Sequence, residues 1–156
     1  MDKSDPPRSF GVFKPVGHTV IAFRTADAME AAVAALLKQR FALTDLARYT
    51  PEEMGAQVQS DLQTASAIAG VGQELNLVKA HGELANSGCS FLVVHAPDDT
   101  RASQVDEVVR TYNAAAAQRY GTFIVEELAA QSEGEVQTFE SPDRGLDIAI
   151  PGETER

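Results

Sequence analysis

The chain has 156 residues, 44% of them hydrophobic and 23% charged, a composition that suits one globular domain and excludes a disordered chain. The net charge of −10 lacks the basic footprint that phosphate backbones select, so nucleic acid is not expected as a partner. Uninterrupted apolar runs, such as Phe91-Leu92-Val93-Val94, are only a handful of residues long, far short of the roughly 18–20 residues that span a bilayer, and no membrane partner is expected.

The charge is uneven. Residues 126–156 carry nine acidic side chains and two arginines, so the acidity belongs mostly to the C-terminal part. The polar start, Met1-Asp2-Lys3-Ser4-Asp5-Pro6-Pro7, has no apolar h-region and reads as no secretory signal. One cysteine, Cys89, excludes an internal disulfide and suits a reducing compartment, so a cytoplasmic location is expected.

Residues 1–17, with Pro6, Pro7 and Pro15, read as an extended lead-in. Thr19 to Arg24 is β-branched and apolar, as a central strand buried on both faces is. Asp27 with Glu30 three residues later resembles a capping box. Met29, Val33, Leu36 and Leu37 follow on one helical face, and the helix is expected to end near Arg40. Leu43 to Thr50 reads as a second, more exposed strand stopped by Pro51.

A second cycle follows. Ser90 to Ala96 is the strongest strand of the sequence, and Pro97-Asp98-Asp99-Thr100 breaks it and offers helix caps. Val105, Val108, Val109, Tyr112 and Ala116 recur at helical spacing, Gly121 is a candidate cap, and Thr122 to Val125 reads as a fourth strand running into Glu126-Glu127-Leu128.

The order βαβ…βαβ predicts an α+β fold: a ferredoxin-like split βαβ sandwich, with a four-stranded antiparallel sheet covered by two helices and the two strongest strands central. One face of such a sheet stays open. Between the halves, residues 51–88 read as an insertion of one or two helices, since a structureless loop of that length is rare in a compact domain. The domain is expected over 1–128, with an acidic tail over 129–156. Within it, residues 136–150 read either as a β-hairpin around Pro142 and Gly145 or as a mobile tail.

Chemistry-bearing residues are few. His95 ends the strongest strand beside Asp98 and Asp99, an arrangement in which an aspartate could orient an imidazole for acid–base work. The competing reading is a polar residue leaving the core. Glu74 and His81 lie seven residues apart on about one helical face and are the candidate metal ligands, against a plain half-exposed helical His81. Cys89 lacks an evident base and reads as buried structure. Gly70 and Gly72 match neither a Walker loop nor a dinucleotide fingerprint, because Leu75 stands where the third glycine of the latter would fall. Phe23, Phe91 and Phe123 fall where an RNA-recognition motif carries aromatics, without its basic signature. No cofactor is expected.

Val20-Ile21-Ala22-Phe23, then Asp27-Ala28-Met29-Glu30-Ala31-Ala32-Val33-Ala34-Ala35-Leu36, then Phe41, Leu43, Asp45 and Leu46 resemble the first half of the small bacterial general-stress (heat-induced) proteins. Arg40 stands where that family usually has glycine, and residues 90–128 resemble its second half. The glycine-zipper middle of many relatives is replaced by the 51–88 stretch, which removes the membrane role. The resemblance implies a ferredoxin-like fold and a stress-associated, non-enzymatic role, with no site residues to transfer. The resulting expectation is a cytoplasmic binding or assembly module acting as a homo-oligomer through its open sheet face, with the acidic tail free to dock a protein partner. The rival is a small-molecule enzyme or ligand sensor with a pocket between the sheet and the inserted helices.

Overall fold

The computed structural model describes residues 1–9, 12–65, 73–121 and 125–130. Its elements are β1 (Arg8–Ser9), β2 (Val12–Phe13), β3 (His18–Phe23), α1 (Ala26–Lys38), β4 (Leu46–Tyr49), α2 (Pro51–Ala65), α3 (Gln73–Asn86), β5 (Ser90–His95), α4 (Asp99–Thr111), β6 (Ala116–Tyr120) and β7 (Val125–Ala130). The fold is α+β. A five-stranded sheet runs in the order β4-β5-β3-β6-β7, and every neighbouring pair is antiparallel.

Strands β3 and β5 are buried on both faces, so alternate residues feed separate cores. Ile21, Phe23, Leu92 and Val94 pack with Met29, Val33 and Leu36 of α1 and with Val105, Val108 and Val109 of α4. Val20, Ala22, Phe91 and Val93 face the other way, onto Met54 and Val58 of α2, Leu77 and Val78 of α3, and Val12 and Phe13 of β2. Each fully buried large side chain of this kind contributes about 1.5–3 kcal/mol.

This second core corrects the expectation of an open sheet face: α2, α3 and the N-terminal β-hairpin cover that face from within the chain. It also corrects the extended lead-in, because Val12 and Phe13 are buried and β1 pairs with β2. A buried carboxylate anchors the hairpin, with the Phe13 backbone N–H donating to Asp61 Oδ2 at 3.2 Å. The described residues of the 51–88 stretch therefore form two helices that pack on their own sheet.

Local signals explain most boundaries. Thr25, rather than Asp27, caps α1 by accepting the Ala28 N–H at 3.0 Å, and Glu30 instead holds Arg48 of β4 at 2.7 Å. Arg40 leaves α1 at φ 71°, a conformation glycine takes without strain. Helix α2 opens with a capping box: Thr50 N–H donates to Glu53 Oε1 at 2.9 Å and Glu53 N–H to Thr50 Oγ1 at 3.0 Å.

In its described part the strand expected from Thr122 into Leu128 is β7, and the strand before it, β6, was not expected. Helix α4 ends at Thr111, Asn113 turns the chain at φ 54°, and β6 begins at Ala116, a residue whose spacing had suggested more helix. The sheet thereby has five strands, and β7 reaches Ala130. Residues 122–124, the Gly70–Gly72 turn and the 136–150 hairpin or tail lie outside the described residues.

Candidate functional site

Antiparallel pairing sets the first residue of β3 opposite the last residue of β5. These residues are His18 and His95, and their imidazole centroids are 4.8 Å apart at an interplanar angle of 46°. Leu46 pairs with Val94, so continuing that register by one residue brings Asp45 beside His95. Its Oδ1 lies 3.6 Å from His95 Nδ1. Asp45, His95 and His18 thus form one row across the end of three strands.

The row is fixed from behind. Asp45 Oδ2 accepts the Ala42 backbone N–H at 2.8 Å and lies 3.6 Å from Arg101 Nη1. Arg101 stacks on the Phe41 ring, 4.3 Å from its centroid, which adds a cation–π attraction to the ion pair. His18 Nδ1 lies 3.0 Å from the Val16 carbonyl oxygen. Ala96 N–H to Gly17 C=O and Gly17 N–H to Tyr120 C=O close the backbone around the pair at 3.0 and 2.9 Å.

His18 is buried, whereas the His95 side chain is 46% exposed. Burial holds the His18 imidazole below its ordinary pKa; the Val16 hydrogen bond opposes this and the neighbouring His95 reinforces it. A neutral His18 whose Nδ1–H donates to a carbonyl keeps its lone pair on Nε2. The row therefore offers oriented imidazole nitrogens at a solvent-accessible sheet end.

The sequence-derived candidates divide. His95 lies in the row, but the carboxylate that meets it is Asp45. Asp98 caps α4, accepting the Arg101 backbone N–H at 2.8 Å, and Asp99 occupies the first turn. Glu74 falls in the first turn of α3, with its side chain outside the described residues. His81 is not half-exposed: it is 2% exposed, with Nε2 3.0 Å from Gln118 Oε1 and its ring edge-on to Phe91 at 5.6 Å. Burial lowers its pKa, with the Gln118 contact opposing. Cys89 is buried and its thiol is pushed up by that burial, the reverse of what activates a nucleophile. Among the described residues, no group of three or more His, Cys, Asp or Glu side chains is disposed to hold a metal ion, and no helix is long and apolar enough to cross a membrane.

Asp45, Arg101 and the partnership of His18 with His95 escaped sequence reasoning. One signal for the histidines was present: His18 just precedes one of the two strongest strands and His95 lies near the end of the other, so antiparallel pairing places both at one end of the sheet, and the register makes them partners.

No family model, curated protein or solved structure matches the chain. The resemblance to general-stress proteins therefore rests on the residues quoted for it.

Proposed function

We propose that the chain is a non-enzymatic, stress-associated binding and assembly module of the cytoplasm, built on a ferredoxin-like unit and acting as a homo-oligomer. The strand order β4-β5-β3-β6, with α1 and α4 on one face, supports the ferredoxin-like assignment. The buried lone cysteine is in keeping with a reducing compartment. The acidic C-terminal part suits a basic protein partner rather than nucleic acid.

The observation that carries the assembly reading is β4. Among the described residues it pairs on one side only, at an edge of the sheet, and it is preceded by Leu43, a large apolar residue left 66% exposed. An edge strand presents backbone donors and acceptors that a second copy can pair in a self-complementary, two-fold arrangement. With the sheet face covered, the edge replaces it as the assembly surface. Size-exclusion chromatography with light scattering tests this. A dimer that Leu43→Glu converts to monomer is expected, and a monomer throughout the micromolar range would refute it.

A ligand sensor is the second reading, favoured by Tyr49. Its hydroxyl is buried with no hydrogen-bond partner among the described residues, in the layer shared with Met54, Val58 and Leu77, and burial pushes its pKa up to about 12. A polar ligand entering that layer would satisfy the hydroxyl. Such a ligand should raise the melting temperature and protect α2 and α3 from hydrogen exchange, and this protection should vanish in Tyr49→Phe.

A further inference from the structure

We propose that Nε2 of His18 and Nε2 of His95 together bind a divalent transition-metal ion of the zinc, nickel or copper class. The proposal is independent of the assembly reading.

Three observations carry it. The imidazoles sit opposite one another on adjacent antiparallel strands, with centroids 4.8 Å apart. Two nitrogens on one zinc ion, each about 2.0–2.1 Å from it, stand within the span of rings so placed. Each ring also turns Nδ1 toward an acceptor: the Val16 carbonyl at 3.0 Å for His18, the Asp45 carboxylate at 3.6 Å for His95. The His18 contact is the supporting hydrogen bond of metal-ligating histidines, which puts the proton on Nδ1 and leaves the lone pair on Nε2, while the Asp45 carboxylate faces Nδ1 of His95 from beyond hydrogen-bond distance. Finally, the pair combines rigidity with access. His18 is buried and held by the backbone, while the half-exposed His95 opens the site to solvent.

Arg101 contributes by pairing with Oδ2 of Asp45, which leaves Oδ1 directed at His95. Imidazole nitrogens select zinc, copper and nickel over magnesium and calcium, which require oxygen ligands. Among the described residues no third protein ligand of the usual kinds is grouped here, so water completes the coordination and the ion is exchangeable. Asp45 is a positioning residue acting through His95.

The test is calorimetric titration of the full, untagged chain with zinc chloride, alongside nitrogen-15 NMR of the imidazoles. Saturable uptake of one ion per chain is expected, weakened at least tenfold in His95→Ala and by about tenfold in Asp45→Asn. Because His18 is buried and its replacement could unfold the protein, NMR of the unaltered chain reads that ligand: zinc should shift both Nε2 resonances. No saturable uptake, a titration unchanged in His95→Ala, or movement of the His95 resonance alone would each overturn the proposal.

Discussion

His81 Nε2 and Gln118 Oε1 lie 3.0 Å apart, both buried, with the His81 ring edge-on to Phe91. Gln118 also donates from its own Nε2 to the Glu127 carboxyl, at 3.3 and 3.4 Å to the two oxygens. One amide thus joins helix α3 to the edge strand β7. His81→Leu or Gln118→Leu alone should cost about 1–3 kcal/mol, because each leaves a buried polar partner unsatisfied. The double variant should lose clearly less than the sum. Urea unfolding of the three variants checks this, and additive losses would show that the contact contributes nothing.

Glu127 makes stability depend on pH. Burial pushes its carboxyl up to about 7, against the opposing Gln118 hydrogen bond. The native state therefore holds a proton that the unfolded chain releases near the ordinary glutamate value of about 4.3. Stability from this group is full below that value and is lost as pH rises through about 7. The loss is at most about 4 kcal/mol, reduced by solvent screening of a part-exposed carboxyl. His81 runs the other way: its lowered pKa costs stability as pH falls below the unfolded value of about 6.5. Comparing unfolding midpoints of the unaltered chain and Glu127→Gln from pH 5 to 8.5 isolates the carboxyl. The variant should gain relative stability with rising pH, and parallel curves would exclude the buried acid.

The central strands were legible in sequence because Val20, Ile21, Leu92 and Val93 suit a sheet buried on both faces. Strand β6 was not, because Ala-Ala-Gln-Arg-Tyr has neither β-branched residues nor apolar alternation, and its alanines extend the helical spacing of Val105 and Val109. What ends the helix is the left-handed turn at Asn113, and what makes β6 a strand is pairing with β3 and β7, both tertiary facts. The hairpin at Val12 and Phe13 was hidden by nearby prolines and glycines. Asp45 was hidden differently, since its nearness to His95 depends on the register of β4 against β5, which spacing along the chain does not encode.

Asp98 separates a structural role from a chemical one. Its carboxylate accepts the Arg101 backbone N–H at 2.8 Å, so Asp98→Ala should destabilise by about 0.5–2 kcal/mol. Asp98→Ser, another good cap, should restore most of that. Zinc uptake by the histidine pair should be equal in both variants when measured under conditions where each is folded. Lost uptake in the stable Asp98→Ser chain would instead place this carboxylate in the site.

Helices α2 and α3 meet where Gly82 faces Val58. A methyl group at position 82 would stand 3.1 Å from Val58 Cγ1, a contact relieved only if one side gives way. Val58 is 4% exposed and packed in the core against the sheet, so it cannot rotate away freely. Replacing an interior helical glycine by alanine gains about 0.8–1.0 kcal/mol in helix propensity, while overpacking a filled core costs about 1–3 kcal/mol. Gly82→Ala should therefore be neutral to destabilising by up to about 2 kcal/mol, the difference of those figures. Val58→Ala alone opens a cavity and should also destabilise. Combined, the new methyl fills part of the space vacated by the valine, so the double variant should be more stable than the two single losses summed. Thermal or urea unfolding of the set decides it. A clearly stabilising Gly82→Ala would mean that the helices separate easily at this point, which would favour the sensor reading, in which α2 and α3 move over the sheet.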